Sequence, residues 1–425
     1  MRRIDKYKNN IIISRFVKIF SVDALVKISG LILLPVYLKL MTQEEYANYS
    51  YVLSIVSTFG LVFNFGLYVP QSKLFHSIAA EKKGALLYTI NILLLGLLII
   101  FLLPMYVLEW DCTIVQFLFS HSINYQNYRY IIIGGIIISV YSYMIFNFFM
   151  TQEQIAKVQT YNILRLVIGT GLVIAVLYLV SGNKAEMRLK AYFFVEALLI
   201  ISFFYFYLKA MRPFFDLEIA LKSLYLGLPI MMSAVLGIII NFGDKFFIEK
   251  YCSLADLSIY YLALTCASII PAIFMTFQNI WLPLFFKEKD IAINLAKTKK
   301  TLLILFGIFI ILAICIWIGV FGAVFFNILD KKYYPVLNIL PIILASGIIS
   351  CLTGLLSSYT IYWNMTYITI LSGVFIACIS LPLNFYGVKN YGIHGIVFAA
   401  FLINIMYFNF YYFFIKIKLK SLCQI

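Results

Sequence analysis

The sequence predicts an all-α polytopic membrane protein of about twelve transmembrane helices, arranged as two six-helix lobes. Three observations carry this prediction. Hydrophobic residues make up 63% of the 425-residue chain and charged ones only 12%, with a mean hydropathy of +0.97, far from the soluble range. Apolar runs of about 20 residues recur along the whole chain, the length that crosses about 30 Å of hydrocarbon. The stretch Leu31–Tyr51 also returns in altered form at Leu226–Tyr261: each leaves an apolar run through a short polar turn, and Thr42, Glu45 and Tyr49 are spaced as are Ser253, Asp256 and Tyr260.

The N-terminus, MRRIDKYKNNIIISR, is basic, but the run that follows it has no small-residue cleavage pattern and is too long for a signal peptide, so it is expected to stay as the first span. Further spans are expected near 48–70, 85–108, 129–150, 160–180, 191–208, 224–249, 257–280, 301–326, 334–357, 363–386 and 392–415. Lys and Arg outside these spans are more than twice as numerous on the side of both termini as on the other, which places the termini in the cytoplasm. The loop Ser181–Lys190, with Lys184, Arg188 and Lys190, is an exception on the outer side. Six spans per half is an even number, so the halves enter the membrane from the same side and form parallel repeats. The polar connection Lys209–Ser223 separates them, giving lobes 1–215 and 216–425. Two cytoplasmic connections, Gln71–Gly84 and Lys287–Thr301, mix basic and apolar residues and are expected as helices lying on an anionic leaflet.

The net charge of +15 does not point to nucleic acid, because the 33 Lys and Arg are spread over short loops. Seven widely spaced cysteines indicate neither a disulfide framework nor zinc, and the three histidines share no ligand spacing. There is no phosphate-binding loop, nucleophile elbow or zinc-protease motif, so no cofactor, no metal and no catalytic residue is expected. An embedded polymerase or glycosyl transferase would need a loop bearing acids or bases. The longest outer connection, Glu109–Tyr128, offers only Glu109, Asp111 and His121.

Charges within spans are expensive and mark candidate sites. Asp23 and Lys27 lie one helical turn apart, the acid first, and can pair on one face. Arg165 falls about 9 Å into the fifth expected span with no acid within a turn; it can hold a phosphate or snorkel to the interface. Arg129, at the edge of its span, reads as an interface anchor. Asp244 and Lys245 stand near the outer end of the seventh span, where Lys245 can snorkel and Asp244 can pair with it or with another helix. The many Tyr and Phe residues supply interface belts and packing.

The segments LLPVYLKLMTQEEYANYSYVLSIVSTFGLVFNFGL, GLPIMMSAVLGIIINFGDKFFI and SLADLSIYYLA resemble bacterial polysaccharide flippases of the Wzx type, in the multidrug/oligosaccharidyl-lipid/polysaccharide exporter superfamily. Asp244-Lys245 stands where family members often carry Asp-Arg. The resemblance implies a V-shaped, MATE-like pair of six-helix bundles in the bacterial inner membrane. It implies a flippase that moves an undecaprenyl-diphosphate-linked oligosaccharide, such as an O-antigen unit for lipopolysaccharide, to the outer leaflet; the charged residues read above, Asp23, Lys27, Arg165, Asp244 and Lys245, are then expected on the transport pathway. Implied partners are that lipid-linked oligosaccharide, membrane lipids and other polysaccharide-assembly membrane proteins. A cation-coupled drug or metabolite antiporter of the same architecture is the alternative; an enzyme is the weaker one.

Overall fold

The side chains of Thr42, Asn124, Asn183, Ser253 and Asp290 cap helix starts, and Phe65, Glu109, Glu153 and Asn327, each with positive φ, turn the chain after helix ends, so these short connections follow from local chemistry. The computed structural model of the chain describes residues 29–119, 123–363, 365 and 367–422; Asp23, Lys27 and His121 lie outside these. The helices are α1 (Ser29–Leu40), α2 (Gln43–Val62), α3 (Tyr68–Ser77), α4 (Lys83–Val107), α5 (Trp110–Ile114), α6 (Tyr125–Thr151) and α7 (Ile155–Leu179). They continue with α8 (Lys184–Ala210), α9 (Leu217–Tyr251), α10 (Leu254–Ala267), α11 (Ile269–Lys287), α12 (Ile291–Phe325), α13 (Val336–Tyr362) and α14 (Tyr367–Leu422).

The repeat seen in sequence is a repeat of capping chemistry. Thr42 accepts from the Glu45 amide while the Glu45 carboxylate accepts from the Thr42 amide, at 3.1 and 2.8 Å. Ser253 and Asp256 do the same at 3.1 and 3.2 Å. Each box satisfies two backbone donors that an exposed helix start leaves unpaired. Tyr49 and Tyr260, seven residues beyond each cap, are therefore carried to equivalent positions on α2 and α10, and both are buried.

Nine stretches among the described residues are long and apolar enough to cross a membrane. The last of them, Tyr367–Ser421, is two passes: Gly392 has φ 56° and ψ −138°, and the helix reverses there. A Cβ built on Gly395 would lie 2.0 Å from the Gly387 carbonyl oxygen, so the hairpin closes only with glycine at that position. With α1 and α2 added, the helices among the described residues are consistent with the twelve spans expected. Aliphatic and aromatic side chains such as Ile100, Leu179 and Phe325 stay exposed on the outside, as lipid contact requires.

Two expectations are corrected. The second span does not run on to residue 70: α2 stops at Val62, and Phe65 and Gly66 turn the chain with φ 52° and 67°. The helix that follows, α3, is tied to α6 by side chains. Asn147 donates to the Tyr68 carbonyl and to Gln71 Oε1, both at 3.0 Å, and Ser72 meets Thr151 at 2.9 Å. Lys287–Thr301 is not a separate surface helix either. Asp290 caps α12 through the Ala292 and Ile293 amides, and that helix then runs 35 residues, about 52 Å long. Its start is anchored by Asn294, which donates to the Phe285 carbonyl at 3.0 Å, and by Thr298, which accepts from the Tyr359 hydroxyl at 3.0 Å.

By contacts the chain forms two units, Met1–Ile238 and Ile239–Ile425. In the first, α6 and α8 pack on each other and on α2, and α7 packs along α8. In the second, α13 is the central helix, with α10, α11, α12 and α14 against it. Pro229 sits inside α9, which stays helical from Leu217 to Tyr251.

Candidate functional site

The first unit holds a polar cluster inside an apolar bundle. Arg165 on α7 makes an ion pair with Glu196 on α8 and donates to the Tyr192 hydroxyl. Tyr161, one turn before Arg165, donates to the other Glu196 oxygen at 2.9 Å, and Ser142 of α6 meets Tyr161 at 3.0 Å. The Glu196 side chain is 3% exposed and that of Arg165 is 38% exposed. The cluster lines a cavity of about 400 Å³ with Ser57, Asn162 and Phe193. Because α7 begins at Ile155, Arg165 lies ten residues in, about 15 Å from that end of the helix. It does not snorkel; a buried carboxylate holds it. Glu196 is absent from the candidates read in sequence, although it is the only charged residue in the apolar run 191–208, and that is the available signal.

A second cavity, of about 340 Å³, touches the same cluster and is lined by Tyr37, Tyr49, Arg165, Arg188, Tyr192 and Glu196. Arg188 is not in an outer loop. Asn183 caps α8 through the Glu186 amide, which makes Arg188 part of the second turn of that helix, and it is 8% exposed. The helix start is pinned to the α1–α2 turn: Glu45 accepts from the Lys184 amide at 3.0 Å, and the Lys184 ammonium donates to the Leu40 carbonyl at 2.7 Å. The Arg188 guanidinium sits 4.0 Å from the Tyr37 ring centre and 3.8 Å from that of Tyr49.

The second unit carries a polar cluster of its own, on α9 and α10. Tyr260 donates to Asp244, whose other oxygen lies 3.1 Å from the Lys245 ammonium, and that ammonium also donates to the Asn241 carbonyl. Asp244 is seven residues before the end of α9, and both charged side chains are largely buried, so Lys245 turns inward rather than reaching the interface. These groups face a cavity of about 340 Å³ shared with Asn384, Ser346 and Asn404. Asn404 donates to Ser346 at 2.8 Å. No group of three or more His, Cys, Asp or Glu residues placed to hold a metal occurs among the described residues.

The connection that would serve an enzyme is occupied by structure. Asp111, fully buried, accepts from Arg129 Nε and Nη2 at 2.6 and 3.0 Å and from the Tyr125 hydroxyl at 2.7 Å. Arg129 is thus a buried clamp, not an interface anchor, and it donates as well to the Tyr106 carbonyl at 2.9 Å. Burial pushes the Asp111 carboxyl up, but the hydrogen bonds from Arg129 and Tyr125 outweigh it and hold the group below its ordinary range. A depressed folded-state pKa contributes stability that is complete above the unfolded value and is lost as pH falls through the folded value. Thermal unfolding in detergent should therefore show Asp111→Asn well below the wild type at pH 7. That gap should stay constant down to about pH 4, the ordinary carboxylate range, and close below it. A gap that does not change down to about pH 3, below that range, would refute the assignment.

Residues 15–289 match the family model described as "Polysaccharide biosynthesis protein", and the chain belongs to that family. No curated protein matches the sequence. Among solved structures, the fold is similar to a lipid II flippase, MurJ, in an inward closed conformation: TM-score 0.75, 14% identity, covering 93% of this chain and 87% of that one. It is also similar to an inward-facing multidrug resistance MATE family transporter of the MOP superfamily, with TM-score 0.65, 12% identity and coverage of 96% and 95%. The Vibrio cholerae MATE transporter VcmN in its bent form gives TM-score 0.54, 13% identity and coverage of 96% and 98%. The protein is a polytopic membrane protein with a MurJ- and MATE-like fold; its family and structural neighbours are transporters and flippases, not enzymes.

Proposed function

We propose that this protein is a flippase that carries an undecaprenyl-diphosphate-linked oligosaccharide, an O-antigen or similar surface-polysaccharide unit, from the inner to the outer leaflet of the bacterial inner membrane. Both termini face the cytoplasm, and the repeats 1–215 and 216–425 act as the two lobes of an alternating-access carrier. The repeat boundary need not coincide with the contact boundary in α9, because the first half of that helix leans on the α2–α3 turn through Gly227.

The observation that carries this reading is a half-buried arginine, Arg165, facing a polar cavity inside an apolar bundle of the polysaccharide biosynthesis family. A glycan and its diphosphate cannot cross hydrocarbon unaided, and a polar cavity with a cation offsets their desolvation. Arginine suits the task because it keeps its charge when desolvated and pairs with two phosphate oxygens at once. Asp23 and Lys27 belong to the proposed pathway as a further ion pair on the first span. Export of each negative charge against an inside-negative potential of about 100 mV gains about 2.3 kcal/mol, so no ATP is required.

A second reading is favoured by one observation: Asp244, with Tyr260 and Asn384 on a cavity of the second unit, is a carboxylate site suited to a cation-coupled antiporter. One experiment separates the two. Purified protein in proteoliposomes should flip a lipid-linked glycan, faster with an imposed inside-negative potential, and Arg165→Ala should slow it at least tenfold. Organic-cation efflux driven by a proton or sodium gradient, with no flipping of the glycan, would reject the flippase reading and leave the antiporter.

A further inference from the structure

We infer that Arg188 is an anion-binding residue that takes a phosphate or diphosphate group on the edge of its guanidinium, at the end of the first unit where α1 turns into α2. Tyr37 and Tyr49 lie within about the same distance of the guanidinium, 4.0 and 3.8 Å from ring centre to carbon. Stacking of that kind stabilises the charge and holds its plane, but it leaves the N–H donors at the rim. Arginine has five such donors. The Met41 sulfur, a weak acceptor, takes one from Nη1 at 3.5 Å, and no carboxylate pairs with Arg188 among the described residues.

Among the described residues, two other buried or half-buried arginines of the unit are satisfied differently: Arg129 by Asp111 and Arg165 by Glu196. A guanidinium cannot shed its proton, so burying it without strong acceptors is costly and adds nothing to folding. An incoming anion with two or three charged oxygens removes that cost, and a phosphate oxygen pair matches the fork. The cavity that Arg188 lines has the volume for such a group, about 340 Å³, and a second cation, Arg165, borders it. Arg165 is already paired with Glu196, which leaves Arg188 as the stronger attractor. Tyr37, Tyr49 and Tyr192 offer flat walls beside it for a ring attached to the phosphate. The anion site stands on these contacts alone; only its assignment to a lipid-linked diphosphate rests on the flippase reading.

The test uses the full-length protein in phosphatidylcholine nanodiscs, titrated with inorganic pyrophosphate and, separately, with undecaprenyl diphosphate incorporated in the disc. Wild type is expected to bind saturably. Arg188→Gln should raise the Kd at least tenfold. Arg188→Lys keeps a stacked cation in place, so it protects the fold, but it lacks the fork and should raise the Kd about three- to tenfold. Tighter binding of the polyprenyl form identifies a lipid headgroup as the ligand, whereas equal affinities identify a free phosphate anion. Absence of saturable binding by wild type, or an unchanged Kd in both variants, overturns the site. Glycan flipping at the wild-type rate by Arg188→Gln with an unchanged Kd rejects this site and spares the flippase reading. Pyrophosphate binding lost in Arg188→Gln, with no flipping by wild type, rejects the flippase reading and keeps the site.

Discussion

Glu196→Ala is expected to destabilise the protein by about 3 kcal/mol, more than removal of any exposed charge, because it leaves Arg165 charged and unpaired inside the bundle. The lower end of the range for broken buried pairs applies, since the Arg165 side chain is 38% exposed to its cavity and water there recovers part of the loss. Removing both partners should cost less. A double variant, Arg165→Met with Glu196→Leu, replaces the pair with apolar groups of similar size, and such replacements are often neutral. The double-mutant cycle of Arg165→Met, Glu196→Leu and their combination, read by thermal unfolding in detergent, should therefore show strong coupling, with the double variant more stable than Glu196→Leu alone. Additive losses would mean that the two side chains do not depend on each other. Tyr161 sets a second reference: Tyr161→Phe removes a neutral donor to the same carboxylate and should cost about 1.5 kcal/mol, the low end for a hydrogen bond to a charged group.

Gly66→Ala is expected to cost at least about 3 kcal/mol, the scale of a severe core change, and to reduce the yield of folded protein sharply. A Cβ at this position would lie 2.3 Å from the Gly227 carbonyl oxygen, and the residue has φ 67°, a conformation that costs alanine about 1 kcal/mol before any clash. The atom opposite is backbone, which has no rotamer to yield, so the α2–α3 turn and α9 must separate. Gly227→Ala meets the Phe65 carbonyl oxygen at 2.5 Å and should act in the same direction. Gly96→Ala supplies the control: it is a mid-helix glycine with nothing within 4 Å of an added Cβ, and the change should be neutral or stabilising by up to about 1 kcal/mol. Thermal unfolding that ranks Gly66→Ala with Gly96→Ala would show that the close approach is not needed.

The charges illustrate how much of the site is readable in the chain. Asp244 and Lys245 are neighbours in sequence, and the pairing expected of them is found at 3.1 Å. The partner of Arg165 is 31 positions away on the next helix, outside any window that searches within one turn. Hydropathy reads Arg188 as a loop charge because it places a helix edge only to within several residues, and it is the Asn183 cap and the Glu45–Lys184 contact that bring it inside. Arg129 fails as an interface anchor for a similar reason: its partner, Asp111, lies in a short helix that apolar periodicity does not register.

By itself the sequence determined the membrane class, a helix count consistent with twelve spans and the repeated spacing of the caps, because these depend on quantities local in the chain: run length against bilayer thickness, and a cap that needs only residues three apart. The spacing shared by Thr42–Glu45 and Ser253–Asp256 was legible in the chain, although the polar turns read there are in fact the capped starts of α2 and α10. Only the tertiary structure decided which intramembrane charges meet and which cations stay without an acid among the described residues. That choice depends on the rotation and depth of one helix against another, as when α7 and α8 pack together so that Arg165 meets Glu196 while Arg188 lies between two tyrosines. In hydrocarbon an unpaired charge costs enough that packing is selected around such pairs, yet nothing in either helix alone states its partner.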